Sequence, residues 1–180
     1  MIITISGKAG SGKSTIAKLL AAKLKLKHHS TGDFMRQMAK EKRISLLELS
    51  KEAETDKTID KELDERQIKL GVQQDNFVID GRLSAFFIPH AAYKIYLDCS
   101  DGVRANRIMK EDREGEKGTT VKDMIKKINQ RENSERKRYK AFYGFDYHDK
   151  KNYDAVIDTT NLTIQQVVDE ILARISPKHL

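Results

Sequence analysis

Residues 7–14, GKAGSGKS, set glycines, a lysine and a serine where a triphosphate could be held. The stretch is a full match to G-x-x-x-x-G-K-[ST]. In that pattern the glycines let successive backbone N–H groups converge on phosphate oxygens, Lys13 neutralises the outer phosphates, and the Ser14 hydroxyl joins the coordination of Mg²⁺. A glycine-rich turn that serves packing alone is the competing reading, but an apolar strand run precedes this one and a helical run follows it, as phosphate binding requires. A second stretch, STGDFMR at 30–36, places Asp33 and Arg36 beside a glycine at the next strand-to-helix junction, as though another anion were expected there. Arg82 follows Asp80-Gly81 at the end of the apolar run NFVI and poses the same question. The planar fork of arginine binds phosphate through two parallel hydrogen bonds and keeps its charge, so Arg36 and Arg82 together mark a second phosphate site.

Two phosphates that face each other need no general base. A phosphate monoester, with a second pKa of about 6, is largely ionised at neutral pH. What opposes transfer between two polyanions is their repulsion, which fixed cations relieve. Further arginines are available for that purpose. Arg131 and Arg138 are seven residues apart and share a helix face with Glu135 between them, while Arg104 and Arg107 occupy the helix before. Arg113 opens the charged stretch REGEKGTT, residues 113–120. A solvated helix laced with ion pairs would look the same at any single one of these positions. Asp80 stands where a carboxylate could hold a magnesium-bound water, or where an aspartate caps a turn; Asp33 competes for a similar role and is also placed to cap a helix beginning there. Ser14 is the only direct metal ligand assigned. His28 and His29 are adjacent on a short strand and point opposite ways, and His90, His148 and His179 lack ligand-like spacing.

These residues need a scaffold of alternating strands and helices. Apolar runs predict strands at 1–6, 27–29, 76–80, 93–98 and 154–158, with helices at 13–25, 33–41, 45–54, 57–72, 101–111, 121–140 and 163–175. Strands separated by helices imply an α/β fold with a parallel sheet covered on both faces. Two excursions, 37–72 and 113–120, break that rhythm near the carboxyl ends of strands, where substrates are usually covered. The 180 residues suit one domain. The net charge of +7 invites a polynucleotide reading, yet charges are mostly interleaved, as in KEAETDKTIDKELDER, the pattern of solvated helix faces. Cys99 is the single cysteine, which excludes an internal disulfide and a multi-cysteine zinc site. No apolar run approaches the roughly 18 residues of a membrane span, and MIITISGKAG does not read as a signal peptide, so a cytoplasmic location is expected.

GKAGSGKST, STGDFMR, the strand-end DGR and the R-E-x-x-E-x-x-R of Arg131, Glu132, Glu135 and Arg138 resemble the nucleoside monophosphate kinases, and among them the cytidylate kinases of the short, archaeal type. ELDERQIKL, RKRYKAFYGFD and DAVIDTTNLTIQQVVDEI extend the resemblance over nearly the whole chain. It implies a P-loop NTPase fold: a single domain, 1–180, with a five-stranded parallel sheet, a monophosphate-binding helical insert at 37–72 and a short lid at 113–120. It implies transfer from ATP to CMP or dCMP with Mg²⁺; a monomer is expected, and the interleaved charges and the lack of a long apolar run speak against polynucleotide and membrane partners. Gly7, Lys8, Ala9, Gly10, Ser11, Gly12, Lys13, Ser14 and Thr15 would wrap the ATP phosphates, with Arg107 near the ATP base or phosphates. Asp33, Arg36 and Arg82 would hold the CMP side, Arg131 and Arg138 would act with Lys13 at the reaction centre, and Asp158 of Asp158-Thr159-Thr160 would contact a nucleotide. STGD-x-x-R is shared with adenylate kinases, so adenylate or another monophosphate kinase is the alternative. A nucleotide-switched nucleic-acid-binding protein is the alternative from another class. Against adenylate kinase stand DGR in place of DG-x-P-R and the short lid; against shikimate kinase stands the missing triple glycine.

Overall fold

The computed structural model describes residues 1–44, 46–110 and 120–175, the side chains of 46, 47, 50, 51 and 54 excepted. In chain order it contains β1 (Ile2–Gly7), α1 (Lys13–Leu24), β2 (Lys27–Ser30), α2 (Thr31–Lys42), α3 (Leu46–Thr55), α4 (Lys57–Gln73) and β3 (Phe77–Asp80). There follow α5 (Ser84–Phe87), β4 (Tyr93–Asp98), α6 (Asp101–Lys110), α7 (Val121–Tyr143), β5 (Ala155–Asp158) and α8 (Ile164–Arg174). The five strands and seven long helices lie where the apolar runs placed them, with ends displaced by three residues at most. The short α5 and a 3₁₀ turn at Lys150–Asn152 were not expected. The proposed lid at 113–120 lies outside the described residues except for Thr120, whose hydroxyl accepts from the Asp123 N–H and caps α7.

The strands form one sheet in the order β2-β3-β1-β4-β5, every neighbouring pair parallel. Side chains on β1 alternate between its faces. Ile3 and Ile5 enter a core with Ile16 and Leu20 of α1 and Val168 and Ile171 of α8, while Ile2 joins Leu70, Phe77, Ile79 and Ile88 on the other side. Register then brings the carboxyl ends of the strands to one edge. Ile5 and Ser30 both lie beside Asp80, Gly7 beside Leu97, and Asp98 beside Asp158. The α2–α4 excursion buries Met38, Ala39, Leu49, Ala53 and Ile59 in a small core of its own, so it forms a packed unit. None of the described helices is long and apolar enough to cross a membrane.

The STGDFMR and DGR segments meet at Gly81. Its N–H donates to Ile5 O at 3.1 Å, its carbonyl accepts from Ser6 Oγ at 2.9 Å, and a Cβ there would run into the side chains of Thr31 and Ser84. We expect Gly81→Ala to force β3's exit away from α2 and to lower unfolding stability by about 1–3 kcal/mol, the usual cost of overpacking. A thermal or urea melt of the variant beside the parent measures it; an unchanged midpoint would mean that the two segments yield freely.

Candidate active site

The phosphate loop is shaped by backbone that side chains rarely allow. Gly10 and Gly12 have φ of 76° and 91°, and a Cβ on Gly10 would sit 2.8 Å from the Arg104 carbonyl of α6. α1 begins at Lys13 with no side-chain cap and no acidic residue in its first turn, which leaves its N–H groups and positive end free for an anion. Ser14 and Thr15 are exposed in that turn, and Ser11 is buried below it. Lys13 Nζ donates to the Lys8 carbonyl at 2.7 Å across the loop, and Lys8 Nζ pairs with Asp98 at 3.3 Å. Desolvation, then the Arg82 guanidinium, push the Lys13 ammonium down to about 7 against the attraction of Asp80, Glu132 and Glu135.

Asp80 is buried at the end of β3 and its carboxylate is shared. Oδ2 accepts from Ser14 Oγ at 2.8 Å and from Ser30 Oγ at 3.1 Å, while Oδ1 lies 2.7 Å from His28 Nε2. Ser14 and Asp80 are thus linked hard-oxygen donors at the mouth of the loop, a set that suits a magnesium ion held mainly by phosphates and water. No cluster of three or more His, Cys, Asp or Glu suited to a metal is present among the described residues. The sequence reading assigned His28 nothing. Strand alternation carried the signal, because His28 and Ser30 share a face of β2, and the parallel register sets Ser30 beside Asp80.

Glu135 gathers the arginines. Its Oε2 lies 2.6 Å from Arg82 Nε and its Oε1 accepts from Arg131 Nε at 3.1 Å, while one turn on Arg138 Nε lies 3.0 Å from Asp60 Oδ2. Burial is the largest single influence and works against the Arg82 charge, but Glu135 first, then Tyr147, Tyr139 and Glu132, together outweigh it and hold the guanidinium protonated. Asp80, two residues before Arg82, accepts from Ser14, and Glu132, one turn before Glu135, accepts from the Ala9 N–H, so this cluster lies beside the phosphate loop. Arg36 pairs instead with Asp33, both exposed, and its guanidinium lies over Gly32. α2 begins at Thr31, so Asp33 sits inside the first turn and does not cap the helix as expected; the extended residue before the helix is Ser30.

Other residues turn out to brace the site. Arg104 is 1 % exposed, binds Glu132 at 2.6 Å, Asp101 at 2.7 Å and the Ala9 carbonyl at 3.2 Å, and Glu132 also accepts the Ala9 N–H at 3.0 Å. Glu132 therefore ties α7 to the phosphate loop, a role that spacing alone did not disclose. Arg107 donates to Thr159 O at 2.9 Å and Oγ1 at 3.0 Å. Asp158 accepts from the N–H and hydroxyl of Thr160 at 2.9 and 2.5 Å, closing the turn after β5. Arg113 lies outside the described residues.

The seam between α4 and α7 corrects another expectation. KEAETDKTIDKELDER reads as a solvated face, yet Asp60, Asp64 and Gln67 are buried against α7 and α5. Tyr143 donates to Asp64, and Ser84 Oγ donates to Gln67 Oε1 at 2.9 Å. The partners are distant in the chain, so one helix's charge pattern could not reveal them.

Residues 2–161 match the cytidylate kinase-like family. The chain is similar to the cytidylate kinase of Pyrococcus horikoshii, 41% identical over 175 residues that span 97% of this chain and 88% of that one. It is likewise similar to the cytidylate kinase of Methanosphaera stadtmanae, 43% identical over 171 residues, 95% of each chain. In three dimensions it resembles the 1.7 Å crystal structure of shikimate kinase from Bacteroides thetaiotaomicron, with a TM-score of 0.71 over 97% of this chain and 98% of that one; at 16% identity the likeness shows the fold alone. That fold is the P-loop NTPase fold, with five parallel strands flanked by helices.

Asp64 makes stability respond to pH in a defined direction. Burial raises its carboxyl to about 6, the Tyr143 hydrogen bond lowers it less, and Asp60 raises it further against Arg138. The folded state then binds a proton more tightly than the unfolded state, whose carboxyl titrates near the ordinary 3.9. Asp64 therefore adds stability as pH falls from about 7 through 6 and penalises folding above that. Melts between pH 5 and 8 should show Asp64→Asn gaining on the parent as pH rises; parallel curves would mean the carboxyl is not desolvated.

Proposed function

The chain belongs to the cytidylate kinase-like family, and from that premise we propose that it transfers the γ-phosphate of ATP to CMP, with dCMP as a further acceptor. One observation carries the two-nucleotide reading: Glu135 of α7 holds Arg82 and Arg131 together, and Glu132, one turn earlier on the same helix, accepts the Ala9 N–H of the phosphate loop, so the arginine cluster stands beside that loop. A single triphosphate needs no such second cluster.

The donor's phosphates lie on the N–H groups of residues 7–15 with Lys13 on the outer phosphates. Magnesium, when bound, neutralises charge on those phosphates; Ser14 would hold it and Asp80 would hold its water, with Asp80 oriented by Ser14, Ser30 and His28. Arg36 and Arg82 bind the acceptor phosphate. One of its ionised oxygens bonds to the γ-phosphorus as the bond from that phosphorus to the β–γ bridging oxygen breaks, releasing ADP and CDP. No side chain removes a proton. Arg131 and Arg138 stabilise charge on the group in transfer, and carboxylates hold these cations in place until phosphate oxygens compete for them. Residues 37–72 cover the acceptor and 113–120 the reaction centre, which keeps water from taking the phosphate.

The direct test supplies Mg·ATP with each nucleoside monophosphate and follows ADP. Transfer to CMP in preference to AMP and UMP is expected, and its absence would remove this function. Arg82→Ala and Arg36→Ala should each raise the CMP KM by about 10–100-fold, the loss of a charge-assisted hydrogen bond, while ATP binding, measured by titration calorimetry, persists. Unaltered CMP kinetics in both variants would displace the second phosphate site.

A further inference from the structure

α4 turns three polar side chains inward at one-turn spacing: Asp60, Asp64 and Gln67 are 7%, 8% and 2% exposed. Such a face normally carries aliphatic residues, because a buried carboxylate is costly unless it is paired and hydrogen-bonded. The amide of Gln67 is tied to Ser84, and one Asp64 oxygen takes the Tyr143 hydroxyl. Asp60 Oδ2 is different. It touches Arg138 Nε at 3.0 Å, but the two atoms lack the alignment of a hydrogen bond, so each keeps unused capacity. Beside this stripe, α7 borders a cleft of about 460 Å³ lined by Ser134, Lys137, Arg138 and Phe142. Lys57, at the start of α4, sits over the Phe142 ring at 4.6 Å, so the cleft lies against the same helix. Its size suits a nucleoside, and Phe142, 40% exposed, puts an aromatic ring on its wall. Arg138 belongs to both the cleft and the carboxylate pair, at the junction between the phosphate cluster and this hollow.

We propose that Asp60 and Asp64 are the residues that choose the acceptor's base, by accepting the two hydrogens of the exocyclic amine of cytosine. The inference rests on the CMP reading above and deepens it. Cytosine presents an amine donor at the position where uracil presents a carbonyl oxygen. Two carboxylates one helical turn apart offer an acceptor for each amine hydrogen, and they repel an oxygen in the same place. Burial also leaves both carboxyls short of solvation, which an amine's hydrogen bonds restore. Adenine carries an amine too, so the pair rejects oxo bases and leaves the exclusion of purines to the size of the cleft.

The test compares kcat/KM for three acceptors, CMP, UMP and the ribonucleoside monophosphate of pyrimidin-2-one, which keeps O2 and N3 but lacks the amine. Wild type, Asp60→Asn and Asp64→Asn are assayed, with the ATP KM and a thermal melt recorded for each. Wild type should favour CMP over both other acceptors by roughly 10²-fold or more, since a site built to bind an N–H leaves buried groups unpaired without it. Each Asn variant, whose amide can donate to the uracil oxygen, should shrink the CMP-to-UMP ratio by about 10-fold or more. A purely structural role would depress all three acceptors together and leave the ratios fixed. The analogue measurement on wild type stands even if a variant folds poorly. Unchanged ratios in both variants, or a wild type that uses the amine-free analogue as well as CMP, would overturn the assignment while leaving the kinase reading intact. A wild type that phosphorylates no CMP would overturn that reading, and this one with it.

Discussion

Guanidinium groups set side by side repel, and the site exists because Glu135 stands among them. One carboxylate oxygen faces Arg82 and the other faces Arg131, and both partners come from different elements. At an effective dielectric near 20, two unit charges about 4 Å apart interact by roughly 4 kcal/mol, so an unmediated pair of arginines beside Lys13 would splay outward into water. Glu135 reverses the sign of that interaction. Lys13 shows what happens where compensation is thinner: its ammonium is pushed down to about 7 by desolvation and by Arg82. The candidate site is therefore rich in cations held together by carboxylates, an arrangement whose charge suits a polyanion.

The sheet supplies the second constraint. In an all-parallel sheet, all strands exit at one edge, and here that edge carries Ser30, Asp80, Asp98 and Asp158 beside the phosphate loop. Convergence of polar residues from distant sequence positions needs no special loops, only the register. It does need close approach, which is why Gly81 has no room for a side chain between Thr31 and Ser84.

These two constraints explain what could be read from the sequence. Apolar runs such as MIITIS, NFVID and YKIYLD announced strands because a strand buried on both faces is continuously hydrophobic, and the phosphate loop announced itself because its glycines and lysine are needed at fixed spacing. Arg82 and Glu135 were legible singly. Their contact was not, since 53 residues separate them and only the fold closes that distance. Arg104 looked like one more arginine beside the charged stretch and is a buried brace; Asp60 and Asp64 looked solvated and are enclosed. In each case the charge was visible and its partner was not. α5 escaped because four residues, SAFF, carry no period.

α7 ties the phosphate loop, the arginine cluster and α4 to one helix. Glu132 holds the phosphate loop through Ala9, Glu135 holds Arg82, Arg138 meets Asp60 and Tyr143 holds Asp64. At 1.5 Å per residue these four positions span about 16 Å along the helix axis. A helix of 23 residues, capped by Thr120 at one end and by Gly144 in the left-handed conformation at the other, does not stretch. Its spacing of three to five residues per contact therefore fixes the distance from the phosphate loop to the α4 seam. A slide of α4 by one turn along α7 would set Arg138 opposite Asp64 and strand Asp60 as a lone buried charge, so these contacts fix the register of the two helices. The carboxylates that pair with the arginines of the candidate site thus also set the register of α7 against the phosphate loop and α4.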